Sequence, residues 1–268
     1  MALRRVLGVL RRDGVQGAIF ATLILLAAWG LYLGALAMPY RWQWQRVLPY
    51  LFKTYNGQIY AGPLLKGLLV TLSISAQGFL LTLVAGLLAA LLMLSNSLVG
   101  RALARGYVEV VRNTPLLVQL YLLYFVLAPI LGIGRAATGV LALGLIEGAF
   151  AAEIIRAGIL AVPKGQSEAA LSLGLTRWQV DRRVILPQAF RIVLPPLTSL
   201  SISLVKHSAI VSAIAIFDLA NEGRNIISDT FMTFEIWLTV AAIYLVVTTA
   251  MSQLAAMLEQ RLARGRAA

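Results

Sequence analysis

Pro163 to Pro187 reads PKGQSEAALSLGLTRWQVDRRVILP, a polar island carrying Lys164, Glu168, Arg177, Asp181, Arg182 and Arg183 between two strongly apolar stretches. A segment this long inside a membrane chain is functional, or is ordered by something it touches. Its local chemistry predicts two short helices with a corner. Pro163 suits a helix start, and Gly174 can take the left-handed conformation that ends the first helix. Thr176 with Gln179 has the spacing of a capping box for the second. Pro187 predicts an interruption just before the membrane resumes. The small pair Ala169-Ala170 predicts a flat helix face that another protein's surface can approach closely. The segment reads as a docking element.

Composition supports the membrane setting. The chain has 268 residues, 60% hydrophobic and 13% charged, which is not the balance of a soluble domain. Its net charge of +12 is spread along the flanks of apolar runs rather than gathered into one basic patch, so topology explains it better than nucleic acid does. Zero cysteines exclude disulfide and thiolate chemistry, and one histidine cannot build a metal site. Neither a nucleophile–base constellation nor a phosphate-binding loop is present, so the chain is expected not to be an enzyme and to bind no cofactor itself.

Working outward, residues 1–62 are expected to hold a cytoplasmic tail, a first transmembrane helix and an outer aromatic segment. Arg4, Arg5, Arg11 and Arg12 precede an apolar run from Gly17 to Met38 that is long enough to cross a bilayer. Ala35-Leu36-Ala37 resembles a signal cleavage site, but the run exceeds a usual signal core, so an uncleaved helix is expected. Trp42, Trp44, Tyr50, Phe52, Tyr55 and Tyr60 interleave with Arg41, Arg46 and Lys53, which predicts an amphipathic segment in the outer headgroup layer. Residues 63–260 form the core, and 261–268 a basic tail.

Within that core, a second span runs from about Leu64 to Leu94, with Thr71, Ser73, Ser75 and Gln77 polar in its outer half and Ala85, Gly86, Ala89 and Ala90 small enough for close packing. Arg101 and Arg105 follow in an expected cytoplasmic loop, and a third span opens at Arg112 and reaches about Pro129. The fourth span, about Ala137 to Leu160, carries Gly144 and Gly148 in a GxxxG pattern. Glu147 lies about 15 Å into it, near mid-bilayer, where an ionisable group is a functional candidate. Glu153 and Arg156, one turn apart, can pair. After Pro187 a fifth span is expected to break at Pro195-Pro196, and Ser203, Lys206 and His207 in its polar second half suit a translocation path together with Thr71. Residues 214–233 form an outer segment of mixed charge, and a sixth span runs from about Phe234 to Leu258. Arginine and lysine side chains then concentrate on one side, which predicts six helices with both termini cytoplasmic.

Glu168-Ala169-Ala170, Gly174 and Leu186-Pro187 resemble the EAA loop of bacterial ABC importer permeases, with Val184 where isoleucine is usual. Arg112-Asn113-Thr114-Pro115 opens a stretch that resembles the RGTPLLVQ signature of the polar-amino-acid branch, with Asn113 in place of glycine; Glu153 and Arg156 fall in a stretch similar to the same branch. That branch usually has an acidic residue or asparagine after the fifth-span lysine, and His207 departs from it. The resemblance implies an all-α transmembrane bundle of the type I, MetI-like importer permease fold. It implies an inner-membrane subunit that moves polar amino acids, a loop that seats in an ATP-binding cassette subunit, ATP and Mg held by that partner, a second permease subunit, identical or paralogous, and a periplasmic substrate-binding protein. A secondary transporter would use a mid-membrane Glu147 but no docking loop. A non-transporting scaffold would use the loop but not the polar fifth span.

Overall fold

The structure, a computed structural model, describes residues 13–264. Arg4, Arg5, Arg11, Arg12 and Arg266, assigned above to basic tails, lie outside the described residues. The chain divides into two units, Met1–Gln43 and Trp44–Ala268. In the first, helix α1 (Asp13–Ala37) is apolar around its whole circumference, as a lipid-facing span must be. Its Thr22 hydroxyl donates back to the Ala18 carbonyl at 2.8 Å and so is satisfied within the helix.

The second unit opens with the aromatic segment, whose local form is a β-hairpin. A 3-10 turn at Trp44–Arg46 and one helical turn at Leu48–Leu51 lead into a β-hairpin, β1 (Phe52–Tyr55) and β2 (Gln58–Ala61). Tyr55 pairs with Gln58, so the loop is the two residues Asn56 and Gly57, both at positive φ (49° and 74°). That is the backbone which the right-handed strand twist demands and which an Asn-Gly pair adopts at low cost. Val47 is buried with Leu64, Leu219, Ile226 and Ile236, and Tyr50 and Leu51 pack against that cluster.

The bundle is built on two helices. Helix α2 (Pro63–Leu94) and helix α5 (Arg135–Leu160) run along each other through small residues. A Cβ placed on Gly86 would stand 2.6 Å from Ala151 Cβ, and one on Gly144 2.6 Å from Leu81 Cδ2. The GxxxG pattern and the small residues of α2 therefore meet each other, as small-residue helix contacts in lipid do. Hydroxyls add polar links: Thr82 donates across the seam to the Gly144 carbonyl at 3.4 Å, and Tyr107, from the segment between the two helices, donates to the Leu145 carbonyl.

Between these two helices the chain departs from the expected loop and span. Arg101 and Arg105 lie in a helix, α3 (Leu98–Arg112), whose Ser97 N-cap accepts from Gly100 N at 3.0 Å. Gly100, Ala104 and Val108 recur every four residues on its buried side, and Ala104 and Val108 pack with Ala89, Met93, Ala149 and Ala152. Helix α4 (Leu116–Leu131) follows at 110° to α3. With that bent pair counted as one span, the described residues hold six helical spans of sufficient length and apolarity.

The polar segment after Pro163 forms α6 (Lys164–Ser172) and α7 (Arg177–Val180). Pro187 does not interrupt the chain here. A wide π-type turn at Asp181–Ile185, closed by Leu186 N donating to the Asp181 carbonyl, leads directly into α8 (Leu186–His207), with Pro187 in its first turn. The missing N–H forgoes one bond of this continuous run, and the wider π turn before it makes room for the ring. Pro195-Pro196 does not break α8 either. The Thr198 hydroxyl lies 2.7 Å from the Pro195 carbonyl and 2.8 Å from Glu259 Oε1, giving the proline-bearing stretch polar support from the last helix. A 3-10 stretch, Ser208–Ile214, helix α9 (Leu219–Thr230) and helix α10 (Thr233–Arg264) complete the unit.

Asp218 caps α9, its Oδ1 accepting from Asn221 N at 3.0 Å, while its buried Oδ2 has no hydrogen-bond partner among the described residues. Burial pushes this carboxyl from 3.8 up to about 6, against the lowering pull of the Asn221 and Ala220 amides and the Arg224 guanidinium. The folded carboxyl holds its proton more tightly than the unfolded one. Its contribution to stability is therefore complete below pH 3.8 and is lost as pH rises through about 6. The loss is on the order of 2–3 kcal/mol. Asp218→Asn keeps a good N-cap and removes the charge. Thermal unfolding in detergent should show its midpoint raised by several degrees above pH 6 and unchanged near pH 4; equal midpoints at both pH values would refute this account.

Candidate functional site

The polar segment at residues 163–187 is built as its caps dictate. Gly174 has φ +81°, and two backbone bonds close the end of α6: Gly174 N to the Leu171 carbonyl at 2.9 Å and Leu175 N to that of Ala170 at 3.3 Å. This pairing of carbonyls with the two residues past the helix end is the Schellman arrangement, which favours glycine at the left-handed position. Thr176 and Gln179 form the reciprocal capping box of α7, at 3.4 and 2.9 Å. Glu168 and Ala169 are exposed, and so are Leu186 and Pro187.

Ala170 does not contribute to a flat outer face. It is 5% exposed and faces its own chain. The apolar surface presented outward comes instead from Leu171, Leu173 and Trp178, with Leu173 84% and Trp178 69% exposed. Sequence reasoning passed over Leu173 and Trp178. Their signal was an apolar residue on each side of the Gly174 corner, inside an otherwise polar island.

The stretch at Arg112 is a corner rather than the start of a span. Pro115 is extended (ψ 135°) and caps α4. The Gln119 amide donates across the corner to the Val111 carbonyl at 2.7 Å, the Thr114 carbonyl at 2.9 Å and Thr114 Oγ1 at 2.6 Å. Asn113 Nδ2 holds the Glu109 carbonyl at 2.8 Å, closing the end of α3. The Arg112 guanidinium sits 5.5 Å from the centre of the Phe150 ring, tying the corner to α5. Farther along α5, Arg156 and Glu153 pair at 2.8 Å, both about one-third exposed, which contributes little to stability.

Inside the helical bundle the structure brings together two of the expected path residues. Glu147, 2% exposed, places Oε1 2.5 Å from Nδ1 of His207, at the C-terminal end of α8. The two lie 60 residues apart in sequence. Lys206 beside His207 is exposed and has no hydrogen bond or ion pair among the described residues, and Ser203 is half-buried. Thr71 does not join them. It is fully buried, and its Oγ1 accepts from Leu219 N at 3.1 Å, satisfying the first amide of α9. Ser208 and Ser212 likewise turn back on their own backbone, onto the Val205 and Ala209 carbonyls at 2.7 and 2.6 Å.

This geometry can be set beside known proteins. Residues 78–264 match the family described as the binding-protein-dependent transport system inner membrane component. The chain belongs to that family. It is 37% identical over 202 residues to the glutamine transport system permease protein of Escherichia coli (strain K12), an alignment covering 74% of this chain and 92% of that one. A putative glutamine transport system permease protein of Rickettsia typhi is 34% identical over 218 residues, covering 81% and 99%. Among solved structures, that of an amino acid ABC transporter with histidines aligns at 41% identity and a TM-score of 0.70, covering 74% of this chain and 94% of the other. The inward-facing MetNI methionine ABC transporter shares the fold at 21% identity and a TM-score of 0.66. The importer permease therefore has the all-α transmembrane fold of the type I class, and the readings as a secondary transporter or a scaffold fall away.

Proposed function

We propose that this permease subunit imports polar amino acids across the inner membrane, driven by ATP hydrolysed in partner subunits. The observation that carries the reading is the joint presence of an outward-facing apolar corner at Leu173 and Trp178 and a buried carboxylate–imidazole pair inside the bundle. The first suits seating in a cleft of an ATP-binding cassette subunit; the second suits a ligand that is polar and ionised. Relatives named as glutamine permeases and an amino acid transporter support that substrate class. In this scheme Glu168, Ala169, Gly174, Leu186 and Pro187 shape the docking element, and Ala170 braces it from within. Glu147, His207, Lys206 and Ser203 serve the translocation path. ATP and Mg reside on the partner, and this chain binds no cofactor. A second permease, identical or paralogous, completes the pore, and a periplasmic binding protein delivers the substrate. Both termini are cytoplasmic, and the aromatic residues near the hairpin lie against lipid headgroups.

ATP binding would bring the two ATPase subunits together, carry the docked α6 and α7 with them, and open the bundle outward. A tagged chain expressed with its native neighbours should co-isolate an ATPase. Proteoliposomes of that complex should then accumulate amino acids such as glutamine only when ATP is supplied on the cytoplasmic side together with the binding protein. Uptake driven by an ion gradient in the absence of ATP would overturn this function.

A further inference from the structure

Glu147 has a side chain only 3% exposed, and one of its oxygens is engaged by His207 Nδ1. A carboxylate this buried needs a donor, and the imidazole supplies it. His207, in contrast, has 47% of its side chain exposed, and its Nε2 has no partner among the described residues. The exposed member of the pair is the ring, not the acid. In a neutral imidazole the nitrogen whose N–H donates a hydrogen bond to a carboxylate leaves the other nitrogen with a lone pair, and the carboxylate makes that nitrogen a better acceptor.

Resting on the proposed import of amino acids, we propose that His207 is the ligand contact and Glu147 its positioning residue: Glu147 holds the Nδ1–H tautomer so that Nε2 accepts a hydrogen bond from an N–H of the substrate, its α-ammonium group. The carboxylate then acts on the substrate through the ring and does not touch it. The chain's other residues allow a direct test, because His207 is its only histidine.

Three measurements on the assembled importer carry the test. The first is the 15N spectrum of histidine-labelled complex, with His207→Ala subtracted to isolate the one ring. It should show a pyrrole-type Nδ1 and a pyridine-type Nε2, and glutamine should shift Nε2 far more than Nδ1. A protonated Nε2 with an accepting Nδ1 would overturn the tautomer, and with it the proposal. The second is the KM for ATP-dependent uptake, which should rise about tenfold or more in His207→Ala, the scale expected for losing a hydrogen bond to a charged group. An unchanged KM would overturn the contact. The third is the double variant. Glu147→Gln should raise KM in the native background and add little in the His207→Ala background, since the acid works through the ring. Additive effects would make Glu147 a ligand contact in its own right and refute the positioning role. If the native complex shows no ATP-dependent uptake, the import reading itself fails. Normal native uptake with a negative result in these tests sinks only the His207 assignment.

Discussion

Gly174→Val is expected to leave the permease folded and inserted but to cut the co-isolated ATPase severalfold and abolish uptake. The space around Gly174 is open, with no atom within 4 Å of an added Cβ, so crowding plays no part. The cost is in the backbone. At φ +81° a residue with a side chain costs about 1–2 kcal/mol, and a β-branched one more. Relaxing that strain would break the two bonds closing α6 and turn Leu173 and Trp178 away from one common surface. Gly165 is the matched control. It too has nothing within 4 Å, but it sits in helical backbone, so Gly165→Ala should be silent. Gly174→Asn should retain most function, since asparagine tolerates the left-handed region. Normal uptake and normal ATPase retention in Gly174→Val would remove this corner from the coupling scheme.

Gly86→Val should damage the bundle itself. The added Cβ would stand 2.6 Å from Ala151 Cβ and 3.2 Å from the Ala151 carbonyl carbon and Ala152 N. None of these atoms belongs to a side chain that can rotate away, so α2 and α5 must move apart along their whole contact. Overpacking of this kind costs about 3 kcal/mol. In a chain of this size that lowers the thermal midpoint in detergent by roughly 10 °C. Gly106→Val in α3, where nothing lies within 4 Å, should be neutral or slightly stabilising, because valine is a better helix former than glycine. A Gly86→Val protein that melts with the native one would mean that the two helices do not meet at this face.

Features encoded by local chemistry were legible in the chain before any coordinates. Gly174 and the Thr176–Gln179 pair act through atoms a few residues away, so spacing alone reveals them. The spans from Pro63 and Arg135 announce themselves by continuous apolarity. Where the reading went astray, a second signal competed. The polar face of α3 hid a helix inside what hydropathy reads as a loop, although its small residues recur every four positions. In the outer segment, aromatic composition outweighed Asn56-Gly57, the pair that makes the hairpin. Pro195-Pro196 obeys tertiary context rather than propensity, with a threonine hydroxyl and Glu259 beside it. The Glu147–His207 bond joins distant spans, and nothing in one sequence states which faces of which helices meet.

The unbroken run from α7 through the π turn into α8 has a mechanical consequence. From Arg177 to His207 the chain is helical at every residue, a rod of roughly 45 Å at the helical rise. Stiffness of that kind turns a small rotation at one end into translation at the other. A tilt of about 5° pivoting at the docking end would sweep the imidazole end through about 4 Å, more than the length of any hydrogen bond. Pressure applied at α7 would then reach Glu147 and His207 as the swing of a single lever, with no relay of side chains between them.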